Sequence, residues 1–225
     1  MIRLSEIEKL TGVGALVYGS PGVGKTYALR TLKGKVLNLD CENGYDVLAG
    51  EPVDMTIIHI EPDNMASILN SPKINEFNVI VLDNVTELYD RMLARQKAAN
   101  SIPNQRNYLE VQYVIKEFLR HLLMKTRKGV HVIVNAWEQK LAIEQDDNSV
   151  RSEILPNIGK SLPAAICGMF SIVGRMEVSK KDPQKRGIRL SSTHNIWAKD
   201  RIFKRQFCAA DAQELLTEAK ADVPV

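Results

Sequence analysis

Cysteine is scarce in this sequence, and long hydrophobic runs are absent. The three cysteines, Cys41, Cys167 and Cys208, form no CxxC pair, which argues against a disulfide scaffold or a cysteine-rich zinc site and is typical of a reduced cytoplasm. No apolar run approaches the roughly 20 residues that span a bilayer. The opening residues MIRLSEIEKL also lack the apolar core of a signal peptide. We therefore expect a cytoplasmic protein without a membrane partner.

The number of histidines and the net charge are also low. The four histidines are scattered without metal-ligand spacing, and the net charge is +3 over 225 residues. The charge is unevenly distributed, because the segment from Arg175 to Gln206 holds ten basic and three acidic residues. Such a run usually forms a solvated face of the protein, and a surface that binds nucleic acid is the alternative. The length and the 44% hydrophobic content suit one α/β domain.

One glycine-rich stretch predicts nucleotide binding. GSPGVGKT, residues 19–26, follows the apolar run ALVYG and precedes a helical segment. The glycines allow backbone N–H groups to turn toward a phosphate, and the following helix starts at the same point. This spacing predicts that Lys25 reaches the β- and γ-phosphates of ATP and that the Thr26 hydroxyl binds Mg²⁺. The predicted ATP-binding residues of this stretch are Gly19, Ser20, Pro21, Gly22, Val23, Gly24, Lys25, Thr26 and Tyr27.

Two carboxylates are candidates for the same site. Asp83 ends the apolar run FNVIVLD, where parallel sheets place their ligand residues, and it would bind Mg²⁺ together with Thr26. The alternative is an aspartate that caps the next helix. Position 84 is Asn, so the base that activates water must come from elsewhere. Glu42, in VLNLDCENG, is the candidate base, and an ordinary solvated loop glutamate is the alternative.

Apolar runs and helical segments alternate along the chain. Separated by helices, five strands are predicted at residues 15–19, 35–40, 55–61, 77–83 and 129–136. Residues 97–106 and 138–160 are predicted to be loops, and residues 168–199 to form an antiparallel hairpin around KKDPQKRG. The pattern predicts a mostly parallel, twisted α/β sheet flanked by helices, with an antiparallel C-terminal hairpin.

The order of these motifs resembles the RecA-type recombinase core. The matching features are the GSPGVGKT loop, a strand ending in LDCE, the strand VIVLD, and a strand ending in VN before a long loop. The sequence is most similar to the short phage RecA-like proteins, which are core-only recombinases or single-strand annealing proteins, also described as phage nucleotide-binding ATPases. The resemblance covers roughly residues 12–207. It implies one RecA-like P-loop ATPase domain over residues 1–207 and a short helical tail over residues 208–225.

The resemblance also assigns catalytic roles. Glu42 matches the catalytic glutamate of the family. Lys199 and Arg201, spaced i, i+2 in WAKDRIFKR, match cations that family members present to the ATP of the neighbouring protomer. The alternative for these two residues is a basic strand end that faces water or DNA.

Two further segments and one polar residue follow from the same resemblance. Residues 94–107 and 139–160 fall where the family places its two DNA-binding loops. Ala136 stands where the family has glutamine, so either Asn135 or Gln139 would contact the γ-phosphate.

The function implied by the resemblance is that of an ATPase that binds single-stranded DNA. Such a protein would act in phage DNA recombination or strand annealing as a homo-oligomer, a ring or a filament, with ATP at the subunit interfaces. DNA would stimulate hydrolysis, and a single-strand-binding protein would be a further partner. The alternatives are a RecA-core helicase or helicase loader, and a nucleotide switch or small-molecule kinase that does not act on DNA.

Overall fold

The chain folds around a mixed β-sheet with helices on both faces. The computed structural model describes residues 11–99, 105–144, 150–159, 161–179 and 181–218. Ten strands form within these residues: β1 (Gly14–Gly19), β2 (Val36–Asp40), β3 (Met55–His59), β4 (Val79–Asp83), β5 (His131–Glu144), β6 (Val150–Pro156), β7 (Ile172–Val178), β8 (Arg186–Arg189), β9 (Lys199–Asp200) and β10 (Phe207–Ala209). The α-helices described are α1 (Lys25–Ala28), α2 (Met65–Asn70), α3 (Val85–Ala99), α4 (Gln105–Met124), α5 (Pro163–Met169) and α6 (Ala212–Leu216).

The central part of the sheet is parallel, in the order β3-β2-β4-β5-β1-β7. The strands β1, β2 and β4 are buried along their whole length, which explains their uninterrupted apolar sequences, because helices cover both faces of such a sheet. Since β5 lies between β1 and β4, the strands that end in Gly19 and Asp83 are two strand spacings apart, about 10 Å. The predicted α/β fold is confirmed.

Two apolar layers hold the helices on the sheet. On one face, α3, α4 and α5 bury side chains such as Leu88, Leu119 and Ile166. On the other face, α1 and the turn that follows it pack beside α6, with Leu29 and Leu215 in the contact. Each fully buried aliphatic side chain of this kind contributes about 1.5–3 kcal/mol to folding. The P-loop helix therefore packs against both the sheet and the C-terminal helix α6.

The prediction of a loop over residues 138–160 is wrong for most of that segment. The strand β5 continues to Glu144 and pairs antiparallel with β6, so that Glu138 lies opposite Pro156 and Ala142 opposite Ser152. The two strands form a largely polar ribbon that extends the sheet. In β6, exposed and half-buried residues alternate over residues 150–153, but three of those four residues are polar. Backbone hydrogen bonds hold such a ribbon together, so its sequence carries little of the apolar alternation that marks a strand. Residues 145–149 lie outside the described residues.

The predicted loop over residues 97–106 is also partly helical. The helix α3 runs to Ala99 and α4 begins at Gln105, and residues 100–104 lie outside the described residues. At 20 residues, α4 is the longest helix described. Neither α4 nor any other helix of the described residues is long and apolar enough to cross a membrane.

The C-terminal part of the chain forms the antiparallel edge. The predicted hairpin is present as β7 and β8, with β8 ending earlier than expected, at Arg189. The short strand β9 pairs with the first residues of β7, and β10 pairs with β8. The expected division of the chain after residue 207 falls inside β10. Beyond it, α6 packs into the same apolar layer as α1.

The packing of α6 leads to a prediction about stability. Leu215 is 1% exposed, whereas Glu218, three residues further on, is exposed. We expect Leu215→Ala to lower the free energy of unfolding by about 2–5 kcal/mol, because it removes a buried side chain and leaves a cavity. Glu218→Ala, the control, should change it by less than about 0.5 kcal/mol. Urea denaturation measures both. Equal stability of the two variants would mean that α6 is not part of the core.

Candidate nucleotide-binding site

The glycine-rich loop turns sharply between β1 and α1. Gly22 and Gly24 have φ values of +73° and +106°, a left-handed conformation that favours glycine. A side chain at Gly19 would come within 2.7 Å of the Met176 carbonyl oxygen of β7, so this position also requires glycine. After Ala28 the helix tightens into a 3-10 turn over Leu29–Thr31. The loop is therefore a preformed cradle whose shape follows from its glycines.

The Lys25 side chain folds back over this loop. Its ammonium donates to the carbonyl oxygens of Gly19 and Ser20, both at 3.0 Å, and the residue is buried. Burial lowers the pKa of Lys25, while neighbouring carboxylates, of which Asp83 has the largest effect, oppose that shift. A buried cation held only by carbonyl oxygens can exchange them for stronger phosphate acceptors.

Thr26 and Asp83 form a direct link between the loop and β4. The Thr26 hydroxyl donates to Asp83 Oδ2 at 2.7 Å, and Asp83 is 4% exposed. Burial raises the pKa of Asp83, whereas Thr26, the nearby Asn135 amide and Lys25 favour the ionised form. The Asn135 nitrogen lies close to Asp83 but outside ordinary hydrogen-bond geometry. A hydroxyl and a carboxylate side by side are the hard oxygen ligands that Mg²⁺ prefers, so this pair fits a phosphate-bound magnesium ion.

Glu42 lies at the same edge of the sheet. Asp40 at the end of β2 is level with Asp83, and Glu42 follows two residues later. The side-chain NH₂ of Asn84 donates to the Glu42 carboxylate, and the side-chain Oδ1 of Asn84 accepts from the Glu87 backbone N–H at 2.9 Å. Burial, followed by the charge of Asp83, raises the pKa of Glu42 to about 7. A carboxylate with this pKa can take up a proton from water near neutral pH.

Sequence reasoning did not foresee the part played by Asn84. It follows Asp83 directly, through a cis peptide bond, and it is 1% exposed. Its two hydrogen bonds fix the orientation of its amide and, through it, of the Glu42 carboxylate. A polar residue immediately after a strand-end aspartate was the available signal, but only the folded chain shows its partner.

The turn that carries Glu42 is held by two further contacts. The backbone N–H of Asn43 donates to Asp40 Oδ2 at 2.8 Å, and Arg91 of α3 donates to the Cys41 carbonyl oxygen. Arg91 is itself paired with Glu87 at 2.9 Å. The position of Glu42 therefore depends on contacts with β2, β4 and α3.

Glu138 is a second acidic residue beside the loop. It accepts from the Ser20 hydroxyl at 2.6 Å and from Arg175 Nε at 2.8 Å. Although burial opposes ionisation, the hydrogen bonds from Arg175 and Ser20 hold the pKa of Glu138 below its usual value. A carboxylate so paired is a weak proton acceptor, and its contacts tie the P-loop to β5 and β7.

These groups surround one cavity of about 800 Å³, a volume typical of a site for a small-molecule ligand. Predicted residues that line it include Gly22, Gly24, Lys25, Thr26, Tyr27, Glu42 and Asp83. Unpredicted residues on its wall include Arg30, which stacks on the Tyr27 ring at 3.9 Å, and Trp137. Asn135 is buried behind the cavity, at the level of Val17 on the neighbouring strand.

Lys199 and Arg201 lie away from this cavity. Lys199 is paired with Val173 in β7, and Arg201 donates to the Phe170 carbonyl oxygen at 2.9 Å, near the start of β7. The side chain of the intervening Asp200 is buried and forms a 2.7 Å ion pair with Arg205. Lys199 and Arg201 are therefore close together, and the charge of Arg201 adds to burial in lowering the pKa of Lys199.

A comparison with protein families identifies the domain. The family described as the AAA domain matches residues 11–202. The chain belongs to this family. With its P-loop at residues 19–26, the protein is a P-loop ATPase, and its mostly parallel sheet flanked by helices is a RecA-type fold.

Solved structures with a similar fold include two proteins. One is the flagellar accessory protein FlaH from Methanocaldococcus jannaschii, with 12% identity and a TM-score of 0.47 over 87% of this chain and 83% of that chain. The other is a prototypical ATPase from the type III secretion system of pathogenic bacteria, with 14% identity and a TM-score of 0.46 over 76% of this chain and 52% of that chain. A comparison of this sequence with curated proteins found no match.

The raised pKa of Glu42 predicts the pH dependence of hydrolysis. A general base acts only when ionised, so kcat/KM for ATP should rise with pH through about 7 and level off above it. Glu42→Gln should keep ATP binding but lower kcat by about 10²–10⁴-fold. Glu76→Gln, at an exposed site, is the control. Steady-state rates across pH test this prediction. An unchanged rate in Glu42→Gln would place the base elsewhere, with Glu138 the next candidate.

Proposed function

We propose that this ATPase binds ATP with Mg²⁺ in the 800 Å³ cavity and acts on single-stranded DNA as a homo-oligomer, in the manner of a phage RecA-like recombination or annealing protein. The observation that carries the nucleotide part is the convergence of Lys25, Thr26, Asp83 and Glu42 on one cavity. These are a cation, a hydroxyl, a metal-binding carboxylate and a base of suitable pKa.

The roles of these residues in hydrolysis follow from their positions. Lys25 would exchange its carbonyl partners for the β- and γ-phosphates. Thr26 and Asp83 would hold Mg²⁺, which neutralises charge on the transferring phosphoryl group. Glu42, oriented by Asn84, would accept the proton of the attacking water. Asn135 would act on the γ-phosphate only through Asp83, because it is buried behind the cavity.

The case for an oligomer with shared sites comes from Lys199 and Arg201. Neither lines the cavity of its own subunit, and neither forms an ion pair among the described residues. Two cations without carboxylate partners at one surface are available for the phosphates of a neighbouring subunit. In that arrangement they would stabilise charge in the transition state and couple hydrolysis to assembly.

The case for single-stranded DNA comes from the basic side chains that form no ion pair with a carboxylate. Within residues 175–206, Arg175, Arg189 and Arg205 are neutralised by carboxylates. Lys181 and Lys204 of the same segment make no ion pair with a described residue and are not among the cations assigned to ATP. The β5–β6 ribbon adds the exposed Lys140. Such cations and an extended ribbon suit a flexible phosphate backbone.

The cytoplasm is the proposed site of action, that of the host cell if the protein is of phage origin. The three cysteines of the chain are free and buried, which suits a reducing compartment. A single-strand-binding protein is proposed as a further partner, on the resemblance to phage RecA-like proteins alone.

DNA binding should depend steeply on salt. With ATP present, we expect the protein to bind single strands more tightly than duplex, with a log–log salt slope of roughly −0.7 for each phosphate contacted. Lys140→Ala should reduce that slope by about one contact. Lys73→Ala, at an exposed position outside the ribbon and residues 175–206, is the control. Fluorescence anisotropy at several salt concentrations measures these affinities.

The alternatives have distinct outcomes in the same experiments. Absence of binding at low salt with ATP present would contradict the DNA function and favour a nucleotide switch. Displacement of a strand from duplex, without annealing of complementary strands, would favour the helicase.

Shared active sites can be tested by mixing variants. Arg201→Ala alone, or Lys199→Ala alone, should lower ATP turnover on the order of 10³-fold or more. Mixing Arg201→Ala with Lys25→Ala should restore part of the activity, because some interfaces then join an intact P-loop to an intact cation. Mixing Glu42→Gln with Lys25→Ala is the control, since both changes disable the cavity of their own subunit. Co-assembled but inactive Arg201→Ala and Lys25→Ala mixtures would rule out the shared site.

A further inference from the structure

Arg186 extends over the P-loop from the C-terminal hairpin. It is the first residue of β8, opposite Val178 of β7. A Cβ atom placed on Gly24 would lie 3.3 Å from Arg186 Cδ and 3.6 Å from its Nε. The side chain therefore packs against the loop at the residue before Lys25, and it lines the 800 Å³ cavity.

The charge of Arg186 is not neutralised by the described residues. Its side chain is exposed and forms no ion pair with any of them. Among the described residues, its side chain donates one hydrogen bond, a long contact of 3.4 Å to the Gln184 carbonyl oxygen within the same turn. Neighbouring arginines differ in this respect, because Arg175 and Arg189 are both paired with Glu177.

The hairpin holds Arg186 in place without the help of a ligand. The turn is closed by the Lys185 N–H, which donates to the Asp182 carbonyl oxygen at 3.0 Å, and β8 is flanked by β7 and β10. Ser179, buried at the end of β7, accepts from the Asp182 N–H at 3.4 Å. Because the backbone of the hairpin is already fixed, binding an anion would order only the side chain of Arg186.

We propose that Arg186 binds the α- and β-phosphates of the nucleotide held by its own subunit. The proposal rests on the proposed function, in that ATP occupies this cavity. Lys25 serves the β- and γ-phosphates from the floor of the cavity, and Gly24 lies on the side of the loop next to Arg186. The forked donors of a guanidinium match two phosphate oxygens at once. Arg186 thus differs from Lys199 and Arg201, which would act on the neighbouring subunit.

The proposal is tested by nucleotide affinity at equilibrium. Arg186→Ala and Arg186→Gln should weaken ADP and ATP binding equally, by about 10- to 100-fold, as for other charged hydrogen bonds. Arg186→Lys should recover part of the loss. Lys185→Ala is the matched control, because it removes the adjacent exposed cation, which does not line the cavity. Calorimetric titration with ADP, and with a non-hydrolysable ATP analogue, measures these affinities.

Three outcomes would overturn the proposal. Unchanged affinity in Arg186→Ala would show that the side chain does not reach the nucleotide. A loss of affinity confined to the ATP analogue would mean that Arg186 contacts the γ-phosphate instead. An equal loss of affinity in Lys185→Ala would mean that general surface charge, and not a contact from Arg186, causes the effect. The parent protein and Lys25→Ala are measured in parallel to separate the two hypotheses. Failure of the parent protein to bind either nucleotide, or unchanged affinity in Lys25→Ala, would contradict the proposed function itself.

Discussion

The hydrogen bond between Thr26 and Asp83 is the contact on which the site depends. It joins the end of the P-loop to the end of β4 across the intervening strand β5, over 2.7 Å between the two oxygens. The contact is possible because parallel strands in register bring their carboxyl ends to one edge of the sheet. Asp40 is level with Asp83 at that edge, and Glu42 follows it. A slip of β4 by one residue would turn Asp83 to the opposite face and separate the groups that bind metal and phosphate.

Burial then sets the chemistry of these groups. At this edge Asp83 and Lys25 are buried and Glu42 is half-buried beside them, so each charge changes the pKa values of the others. The pKa values of both carboxyls are raised, mainly by burial, and that of the ammonium is lowered for the same reason. A doubly charged cation with its phosphates would offset these costs, because it brings positive charge to the carboxylates and negative charge to Lys25. The same burial gives Glu42 a pKa close to the working range of a general base.

The sequence predicted those parts of the site that depend on neighbouring residues in the chain. The P-loop is defined by glycine spacing, and Asp83 by the end of an apolar strand, so both could be identified without tertiary information. The β5–β6 ribbon was missed because polar side chains on exposed faces leave no apolar alternation. The pairing of Asn84 with Glu42 joins residues 42 positions apart, and Arg186 approaches Gly24 from a distant hairpin. No local pattern encodes contacts of that range.

The C-terminal segment, although it lies beyond the matched residues 11–202, is built into the nucleotide site. Ala210 lines the cavity, and the Thr31 hydroxyl at the end of the P-loop helix accepts from the backbone N–H groups of Ala212 and Gln213, at 3.0 and 3.2 Å. One hydroxyl therefore caps the start of α6 and fixes it to the turn after α1. A displacement of the P-loop helix on nucleotide binding would therefore shift α6 as well, because this contact and the packing of Leu29 and Leu215 in one apolar layer connect the two elements. The cavity is therefore lined both by the P-loop with its helix and by residues far away in the sequence, namely Gln184 and Arg186 of the hairpin and Ala210 of the C-terminal segment.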